Sequence, residues 1–174
     1  PRDEHEASAL HAASLGCHVL CEKPLATTLL AAQNMVRACH AAGVVLGTNH
    51  HLRHNSAHQK MRQKILSGAL GRLVSARVMH AVYLPAHLQG WRLASQAAGG
   101  GVVLDIAVHN ADSLAYLLGE YPTEVVAMTS NSGMAKAGHA SLGGLEDNAM
   151  SVWRFPSGVT ASTHQGFTTP FAEV

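Results

Sequence analysis

The sequence predicts a chain of two parts, an α/β segment followed by an α+β domain, and two observations support this. Helical and strand patterns alternate from residue 5 to residue 48, whereas strand patterns follow one another without helices beyond residue 123. Alternation is typical of a parallel sheet with crossover helices, and consecutive strands indicate a mostly antiparallel sheet. We therefore expect the chain to divide near residue 50, into residues 1–49 and residues 50–174.

The first part has the pattern of the C-terminal portion of a doubly wound dinucleotide-binding domain, the Rossmann fold. Helices are predicted over residues 5–15 and 28–42, and strands over residues 18–22 and 44–48. Gly16 and Gly43 end the helices, and Pro24 ends the first strand. These residues do not include the Gly-rich turn that holds a pyrophosphate in such domains. We therefore expect a fragment of a longer protein, truncated at both ends.

The second part combines helices with strands. A long helix is predicted over residues 102–118, where it follows three glycines at 99–101 and ends at Gly119. A helix over residues 56–66 and strands over 73–81, 124–128, 148–155 and 159–164 complete the pattern, with a hairpin turn at 156–158. Residues 82–98 are expected to be irregular, and residues 130–144 to form a mobile loop.

Composition limits the classes of partner. Hydrophobic residues make up 47% of the chain and charged residues 13%, with a formal net charge of +1. Such a balance supports a buried core and offers no electrostatic basis for binding nucleic acid or an anionic membrane. No apolar run approaches the roughly 18 residues that span a bilayer. We expect a small-molecule ligand, no nucleic acid, no membrane and, since the three cysteines form no CxxC pair, a cytoplasmic location.

Asp105, His109 and Asp112 form a polar stripe on the predicted long helix. Their spacing of i, i+4 and i+7 places the three side chains on one face. Three interpretations remain open from spacing alone: a hydrogen-bonded polar surface, a metal site, or acid/base chemistry in which an aspartate orients a histidine whose pKa lies near neutrality. If the stripe is a metal site, the protein would be a metal-dependent hydrolase that uses Asp105 and His109.

Glu22, Lys23 and Pro24 stand at the end of the first predicted strand. Ligands of open α/β sheets bind beyond the carboxyl ends of the strands, so this position suits a functional side chain. A lysine ammonium can polarise a carbonyl or hold a hydroxyl. The alternative is a solvated charge pair at a strand end.

These features occur in the same order in a known family. The helix over residues 5–16, the segments 18–26 and 99–112, and Asn49 between them resemble the glucose–fructose oxidoreductase / inositol dehydrogenase (Gfo/Idh/MocA) family. Glu-Lys-Pro followed by GGG-x3-D-x3-H-x2-D is a specific combination. Segments 47–53, 76–78, 80–85, 87–93 and 167–169 are most similar to family members that reduce cyclic keto-sugars.

The resemblance implies an NAD(P)-dependent sugar oxidoreductase without a metal site. Lys23, Asp105 and His109 take the catalytic positions: Lys23 polarises the substrate oxygen, His109 protonates the developing alkoxide, and Asp105 orients the substrate or the pair. Coenzyme contacts are expected from Pro1, Arg2, His5, Glu22, Lys23, Asn49, Trp91 and Arg92, and substrate contacts from Lys23, Trp91, Arg92, Asp105 and His109. The implied reaction is the reduction of a cyclic keto-sugar.

Several further expectations follow from the resemblance. NADP(H) is favoured over NAD(H), although the residue that selects between them is not in this sequence. The glycines at 99–101 precede the second-domain helix and are not a dinucleotide fingerprint. The isolated chain is expected to be inactive. Members of the family are expected either to pair through the open face of the second-domain sheet or to act as monomers. Alternatives are an inositol or other sugar dehydrogenase of the same family, or an inactive binding or regulatory relative.

Overall fold

Two sheets and their helices make up the described part of the chain. A computed structural model describes residues 2–94, 98–131 and 145–169, except the side chains of residues 91 and 94. The helices are α1 Glu4–Ser14, α2 Leu29–Ala41, α3 Ser56–Leu66, α4 Ala86–Ala94 and α5 Val108–Leu118. The strands are β1 Val19–Glu22, β2 Leu46–Asn49, β3 Ser75–Ala81, β4 Glu124–Ser130, β5 Asn148–Arg154 and β6 Thr160–Gly166. A 3₁₀ turn, His51–His54, follows β2, and a π-helical turn, Val103–Ala107, leads into α5.

The first sheet has the alternating helix and strand order that the sequence predicted. Strands β1 and β2 pair in parallel, with Glu22 opposite Asn49 at their carboxyl ends. Helices α1 and α2 cover the sheet, and their core contains Ala9, Cys21 and Met35. The parallel pairing brings the residues that follow β1 next to the 3₁₀ turn that follows β2. This edge of the sheet is therefore where Lys23 and the 3₁₀ turn meet.

The second sheet has the strand order β3-β6-β5-β4 and is mixed, not uniformly antiparallel. Strands β4 and β5, and β5 and β6, pair antiparallel, as the consecutive strand patterns indicated. Strands β3 and β6 are parallel, because the chain between them crosses over through α4 and α5 before it returns. The carboxyl ends of β3 and β6 consequently lie side by side, which places His80 of β3 near the start of α5.

Two predicted segments differ in the structure. Residues 82–98, expected to be irregular, contain α4, which bends at Gly90 (φ 11°, ψ −126°). Pro85 and Gly90 weaken a helical pattern, yet proline is tolerated at a helix start and glycine accommodates the bend. The expected α-helix over 102–118 instead begins with the π-helical turn and becomes α-helical at Val108. Most of the expected mobile loop, residues 132–144, lies outside the described residues.

Helix α5 is fixed on the inner face of the second sheet. Leu114 packs with Phe155, Val159 and Ala161 in a buried cluster. Between the helix and β6, Asn110 Nδ2 donates to Gln165 Oε1 at 2.8 Å, and both side chains are buried. A buried hydrogen bond of this kind defines the rotation of the helix, because leaving either partner unsatisfied is costly. The rotation directs His109 toward the first sheet.

Within the described ranges, no helix combines the length and apolar character needed to cross a membrane.

Candidate active site

Lys23 and Asp105 are in contact although 82 residues separate them in the sequence. Lys23 follows β1, and Asp105 lies in the π-helical turn before α5. Lys23 Nζ donates to the main-chain oxygen of Asp105 at 2.7 Å and to its Oδ1 at 3.2 Å. π-Helical turns occur frequently at functional sites. The contact lies beyond the carboxyl end of a parallel strand, the usual position for ligands in this class of fold.

Asp105 is a single carboxylate among three cations. Arg2 Nη2 donates to Oδ1, and Arg92 Nε lies 3.3 Å from Oδ2, in addition to the contact with Lys23. Burial favours the neutral acid, but attraction by Lys23, Arg2 and Arg92 outweighs it, so the pKa of Asp105 lies below its ordinary value. Asp105 is therefore ionised at neutral pH and connects side chains from three parts of the chain.

The cations around Asp105 lose water on burial. Burial lowers the pKa of Lys23 and of Arg2, and the Asp105 carboxylate opposes the shift without cancelling it. Arg2 is 5% exposed, and its Nη1 also donates to the main-chain oxygen of Gly99. The guanidinium that the resemblance assigned to the coenzyme is thus directed at Asp105 and at the glycine turn. Arg2 therefore connects the Asp105 carboxylate to the run of glycines at 99–101.

Gly101 permits the close approach of Glu146 to the start of the π-helical turn. Glu146 Oε1 accepts a hydrogen bond from the Val103 amide at 3.0 Å, and its main-chain oxygen accepts one from the Val102 amide. A Cβ on Gly101 would lie 2.4 Å from that Oε1, and the φ of Gly101 is +95°. Only glycine meets both conditions without strain. The run at 99–101 therefore shapes the turn that carries Asp105.

His109 is buried beside two other histidines. It is 7% exposed, and its ring lies 5.2 Å from that of His51 in an edge contact and 6.0 Å from that of His80, centroid to centroid. Burial, and then the charge of Lys23, lower the pKa of His109 to about 4. The value is below the near-neutral pKa expected from the sequence, because the pocket excludes water and contains a cation. His109 is therefore a neutral imidazole at pH 7.

These side chains open into a cavity of about 280 Å³. Its polar end is formed by Lys23, His80, Asp105 and His109. Its apolar wall is formed by Val82, Leu84, Pro85, Leu88, Ile106 and Phe167, with Tyr83 at the same wall. Polar groups that converge at one end of an apolar pocket are typical of small-ligand sites. The volume suits a ligand the size of a single ring, so the residues fit a nicotinamide ring or a monosaccharide at this position.

Three of the expected coenzyme contacts lie together at the end of the first sheet. His5 Nδ1 is 3.0 Å from the main-chain oxygen of Pro24, and Asn49 Nδ2 donates to Glu22 Oε1 at 2.7 Å. The hydrogen bond from Asn49 lowers the pKa of Glu22. Glu22 is exposed, and its carboxylate faces the same edge as Lys23. These residues therefore lie beside Lys23, which lines the cavity. That they contact a coenzyme is a proposal.

The remaining expected contacts divide between described and undescribed residues. Pro1 and the Trp91 side chain lie outside the part of the chain that the structure describes. Arg92 is described, and its guanidinium contacts Asp105 and the main-chain oxygen of Leu88. Arg92 is therefore placed at the site.

Asp112 does not join Asp105 and His109 in the cavity, in contrast to the shared face expected from the spacing. Arg53 Nε donates to both carboxylate oxygens of Asp112 at 3.0 Å, and Arg53 Nη2 donates to Oδ1 at 2.5 Å. His50 Nδ1 lies 3.6 Å from Asp112 Oδ2. Asp112 lines a second cavity, of about 850 Å³, together with Arg53 and His50. Asp112 is offset from His109 around the axis of α5, and its carboxylate is held by Arg53, so the stripe is divided between two cavities.

His51 and His80 belong to the site, and the sequence did not indicate either as functional. His51 begins the 3₁₀ turn after β2, and only the folding of this turn against α5 brings its ring to His109. His80 ends β3, and only the parallel pairing of β3 with β6 places it beside α5. Among the residues that are described, no group of three or more His, Cys, Asp or Glu side chains could hold a metal ion.

Comparison with known proteins agrees with this geometry. Residues 1–50 match the sequence profile of the GFO/IDH/MocA oxidoreductase family for its NAD-binding Rossmann fold. Residues 58–173 match the profile of the GFO/IDH/MocA C-terminal domain. Over 169 residues the chain is 55% identical to 1,5-anhydro-D-fructose reductase from Ensifer adhaerens, covering 97% of this chain and 49% of that protein.

Two solved structures share the fold and part of the sequence. Aldose-aldose oxidoreductase from Caulobacter crescentus, complexed with glycerol, superposes with a TM-score of 0.87 at 30% identity, over 98% of this chain and 49% of that one. Levoglucosan dehydrogenase, complexed with NADH and levoglucosan, gives a TM-score of 0.84 at 29% identity, over 97% and 46%. The chain thus spans about half the length of the relatives it matches.

Proposed function

Because the chain belongs to the GFO/IDH/MocA oxidoreductase family, we propose that the full-length protein reduces the ketone of 1,5-anhydro-D-fructose or a similar cyclic keto-sugar. The observation that carries the proposal is the contact of Lys23 with Asp105 beside the buried His109, in a chain 55% identical to a reductase of that sugar. The isolated 174-residue chain is proposed to be inactive.

Lys23 and His109 have complementary roles at the substrate oxygen. When bound, the reduced nicotinamide coenzyme supplies a hydride to the ketone carbon. Negative charge then develops on the oxygen, and Lys23 Nζ is the cation in the cavity that stabilises it. His109 is neutral, so it donates an N–H hydrogen bond and then a proton to that oxygen. A neutral imidazole can polarise a carbonyl in this way.

Asp105 acts by holding the cation in place. Its main-chain oxygen and carboxylate both accept from Lys23, so the ammonium is directed by two contacts. Arg2 and Arg92 share the carboxylate, which keeps it ionised when substrate excludes water from the cavity. Preorganised charge of this kind lowers the barrier without rearrangement during the reaction.

The coenzyme is proposed to approach from the end of the first sheet. His5, Glu22 and Asn49 lie there, and residues 1–49 are proposed as the remnant of the coenzyme-binding domain, with residues 50–174 as the partial substrate-binding domain. Similarity to a reductase supports NADP(H) over NAD(H), whereas levoglucosan dehydrogenase, a more distant relative, was solved with NADH. Pro1 and Trp91 remain in the proposed set of coenzyme contacts on the resemblance alone.

A homo-oligomer is proposed to form through the outer face of the second sheet. Met79, His164, Met150 and Met128 lie opposite one another in one row across the four strands. Met79 is 72% and Met128 79% exposed, and the face is concave, with a volume of about 670 Å³. Exposed apolar patches of this kind mark interaction surfaces, and pairing of identical copies is the commonest way to cover them.

An assay of purified full-length protein tests the proposed function. NADPH oxidation is measured with 1,5-anhydro-D-fructose, and coenzyme reduction is measured with myo-inositol and with glucose, each with both coenzymes. We expect 1,5-anhydro-D-fructose with NADPH to give the highest kcat/KM. A higher value with inositol or glucose would identify a sugar dehydrogenase instead. Coenzyme binding without turnover of any of these sugars would indicate a binding or regulatory relative.

A further inference from the structure

We propose that His51 relays a proton from solvent to His109 during catalysis, an inference that rests on the proposed function of the same site. In this arrangement His109 contacts the substrate oxygen and His51 acts through His109. Neither the sequence pattern nor the comparisons assign a role to His51.

The ring contact between the two histidines is the first observation. Their centroids are 5.2 Å apart, with the ring planes at 79°. His51 is exposed to solvent, whereas His109 is buried in the cavity wall. Catalytic hydrogen bonds are often long or poorly aligned before a substrate binds, so an edge contact at this distance is compatible with proton transfer between the rings. His51 therefore lies between bulk water and the proton donor.

The chemistry of His109 requires a second proton source. With a pKa of about 4, His109 is neutral at pH 7. A neutral imidazole that gives its only N–H proton to an alkoxide becomes an imidazolate, which is very unfavourable, unless its other nitrogen takes up a proton in the same step. A partner in contact with both His109 and water meets this need. His51 is such a partner.

His80 is the other histidine beside His109, and it is less suitable. It is partly buried in the cavity, and burial followed by the charge of Lys23 lowers its pKa. Its ring is also farther from His109, at 6.0 Å, and is tilted instead of edge-on. A contact with the substrate suits His80 better than exchange with solvent.

The 3₁₀ turn that carries His51 is attached to the helix that carries His109. Arg53, two residues after His51, makes the bidentate ion pair with Asp112, three residues after His109. The Arg53 guanidinium also lies over the ring of Tyr116, 5.6 Å from its centroid. Planar, bidentate pairs of this kind define geometry as well as energy. The ion pair thus joins the turn that carries His51 to the helix that carries His109.

Several charged groups surround His51. Glu22 from β1, His80 from β3, His109 from α5 and the adjacent His50 interact with it electrostatically. Lys23 acts on His50, His80 and His109. Positive charge on His51 lowers the pKa of Glu22, and it also lowers the pKa values of His80 and His109 in the cavity. His51 is exposed, so water can solvate positive charge on its ring, whereas His109 is buried.

The proton and electron balance is complete. A reduced nicotinamide coenzyme gives a hydride to the ketone carbon and is oxidised, a C–H bond forms, and the C=O π pair moves to oxygen. One nitrogen of His109 loses its proton to that oxygen while the other gains the proton released by the His51 imidazolium. His51 then takes a proton from water. Oxidation of the alcohol reverses each transfer.

A histidine titration by NMR in the full-length protein tests the coupling without any turnover. Positive charge on His51 lowers the pKa of His109. The pKa of His109 is about 4 in the wild-type protein. We therefore expect His51→Gln to raise this pKa and His54→Gln to leave it unchanged. His54 is the matched control, because it is an exposed histidine of the same 3₁₀ turn that lines the second cavity. An unchanged His109 titration in His51→Gln would overturn the relay, whichever substrate the enzyme uses.

Kinetics with the same variants test the transfer itself. In His51→Gln we expect kcat at pH 7 to fall by about tenfold to a hundredfold with an unchanged KM for NADPH, and imidazole in the buffer to restore it. A wild-type kcat in His51→Gln, or a loss that imidazole does not restore, would refute the relay. Absence of turnover in the wild-type protein would count against the proposed function, and the NMR titration would then decide the relay alone.

Discussion

Lys23 Nζ is closer to the main-chain oxygen of Asp105, at 2.7 Å, than to its carboxylate, at 3.2 Å. The main-chain contact connects the end of β1 directly to the π-helical turn. It persists when the side chain is changed, so the position and the charge of Lys23 can be separated experimentally. The main-chain oxygen of the π-helical turn is thus bound by a side chain that follows a strand of the other sheet.

Replacement of Asp105 by Asn keeps the main-chain contact and removes the charge. Asp105 raises the pKa of Lys23 against the effect of burial, so the variant should hold Lys23 protonated only to a lower pH. We expect kcat to fall by about tenfold or more at pH 7 and the alkaline limb of the pH profile to move to lower pH. Steady-state kinetics from pH 5 to pH 10 measure both effects.

Asp3→Asn provides the control for this experiment, because Asp3 is exposed near the start of α1 and its change also removes one negative charge. It should leave the pH profile unchanged. An Asp105→Asn enzyme with a wild-type alkaline limb would show that Asp105 does not set the protonation of Lys23.

Burial of His109 should make the protein less stable in acid. The pKa of His109 is about 4 in the folded protein against 6.5 for an ordinary histidine, so the unfolded chain binds this proton at a higher pH. Above pH 6.5 this group does not reduce the free energy of unfolding. As the pH falls from 6.5 toward 4, the free energy of unfolding decreases by up to about 3 kcal/mol because of His109. Urea unfolding between pH 7 and pH 4 should show a shallower loss in His109→Gln than in wild type.

His54→Gln serves again as the comparison, since it removes an exposed histidine from the same region. Parallel stability curves for wild type and His109→Gln would mean that His109 is not held neutral by burial.

The hydrogen bond between Asn110 and Gln165 should be important for both stability and activity. Each side chain is 2% exposed, so Asn110→Ala leaves the Gln165 amide without its partner in the core. We expect a loss of about 1–3 kcal/mol in the free energy of unfolding, and a lower kcat because α5 can then rotate. Denaturation and kinetics are measured for Asn110→Ala, Gln165→Ala and the double variant. The comparison gives the interaction free energy between the two side chains. Additive losses in the double variant would show that the two side chains do not act together.

Much of the fold could be predicted because the sequence patterns are local. The alternation of α1, β1, α2 and β2 follows from helical spacing, glycines at the helix ends and Pro24. The parallel pairing of β3 with β6 could not be read in this way, because it depends on the crossover between segments 79 residues or more apart. The π-helical turn was missed for a different reason: no local pattern in residues Val103–Ala107 distinguishes a π-helical turn from the start of an α-helix.

The candidate site was predictable in part. Asp105 and His109 were suggested by their spacing and Lys23 by its place after β1, but only the family resemblance joined them. His51 and His80 reach His109 from two different elements, 58 and 29 residues away in the sequence, so no local pattern indicates them. Asp112 was grouped with the wrong partners, because its spacing does not show that Arg53, from the 3₁₀ turn after β2, holds its carboxylate in the second cavity.

The outer face of the second sheet predicts a change in assembly. Met128→Glu places a charge at the β4 end of the exposed row, and a neighbouring copy could not cover it without paying a desolvation cost. We expect a smaller oligomer in sedimentation velocity and little change in melting temperature. Leu15→Glu is the control, since Leu15 is 66% exposed but lies at the end of α1. An unchanged oligomer in Met128→Glu would place the interface elsewhere.

Lys23 is assigned to the reacting oxygen, and Lys23→Met in the full-length protein removes the charge on which this assignment rests. Methionine keeps much of the length of the side chain and removes its charge, while Arg2 and Arg92 still neutralise Asp105. The decisive measurement is the single-turnover rate of NADPH oxidation with 1,5-anhydro-D-fructose, beside the Kd for NADPH. We predict a rate lower by on the order of a hundredfold to a thousandfold with a Kd within about threefold of wild type. A wild-type rate, or a loss of coenzyme binding that accounts for the slower reaction, would contradict the assignment.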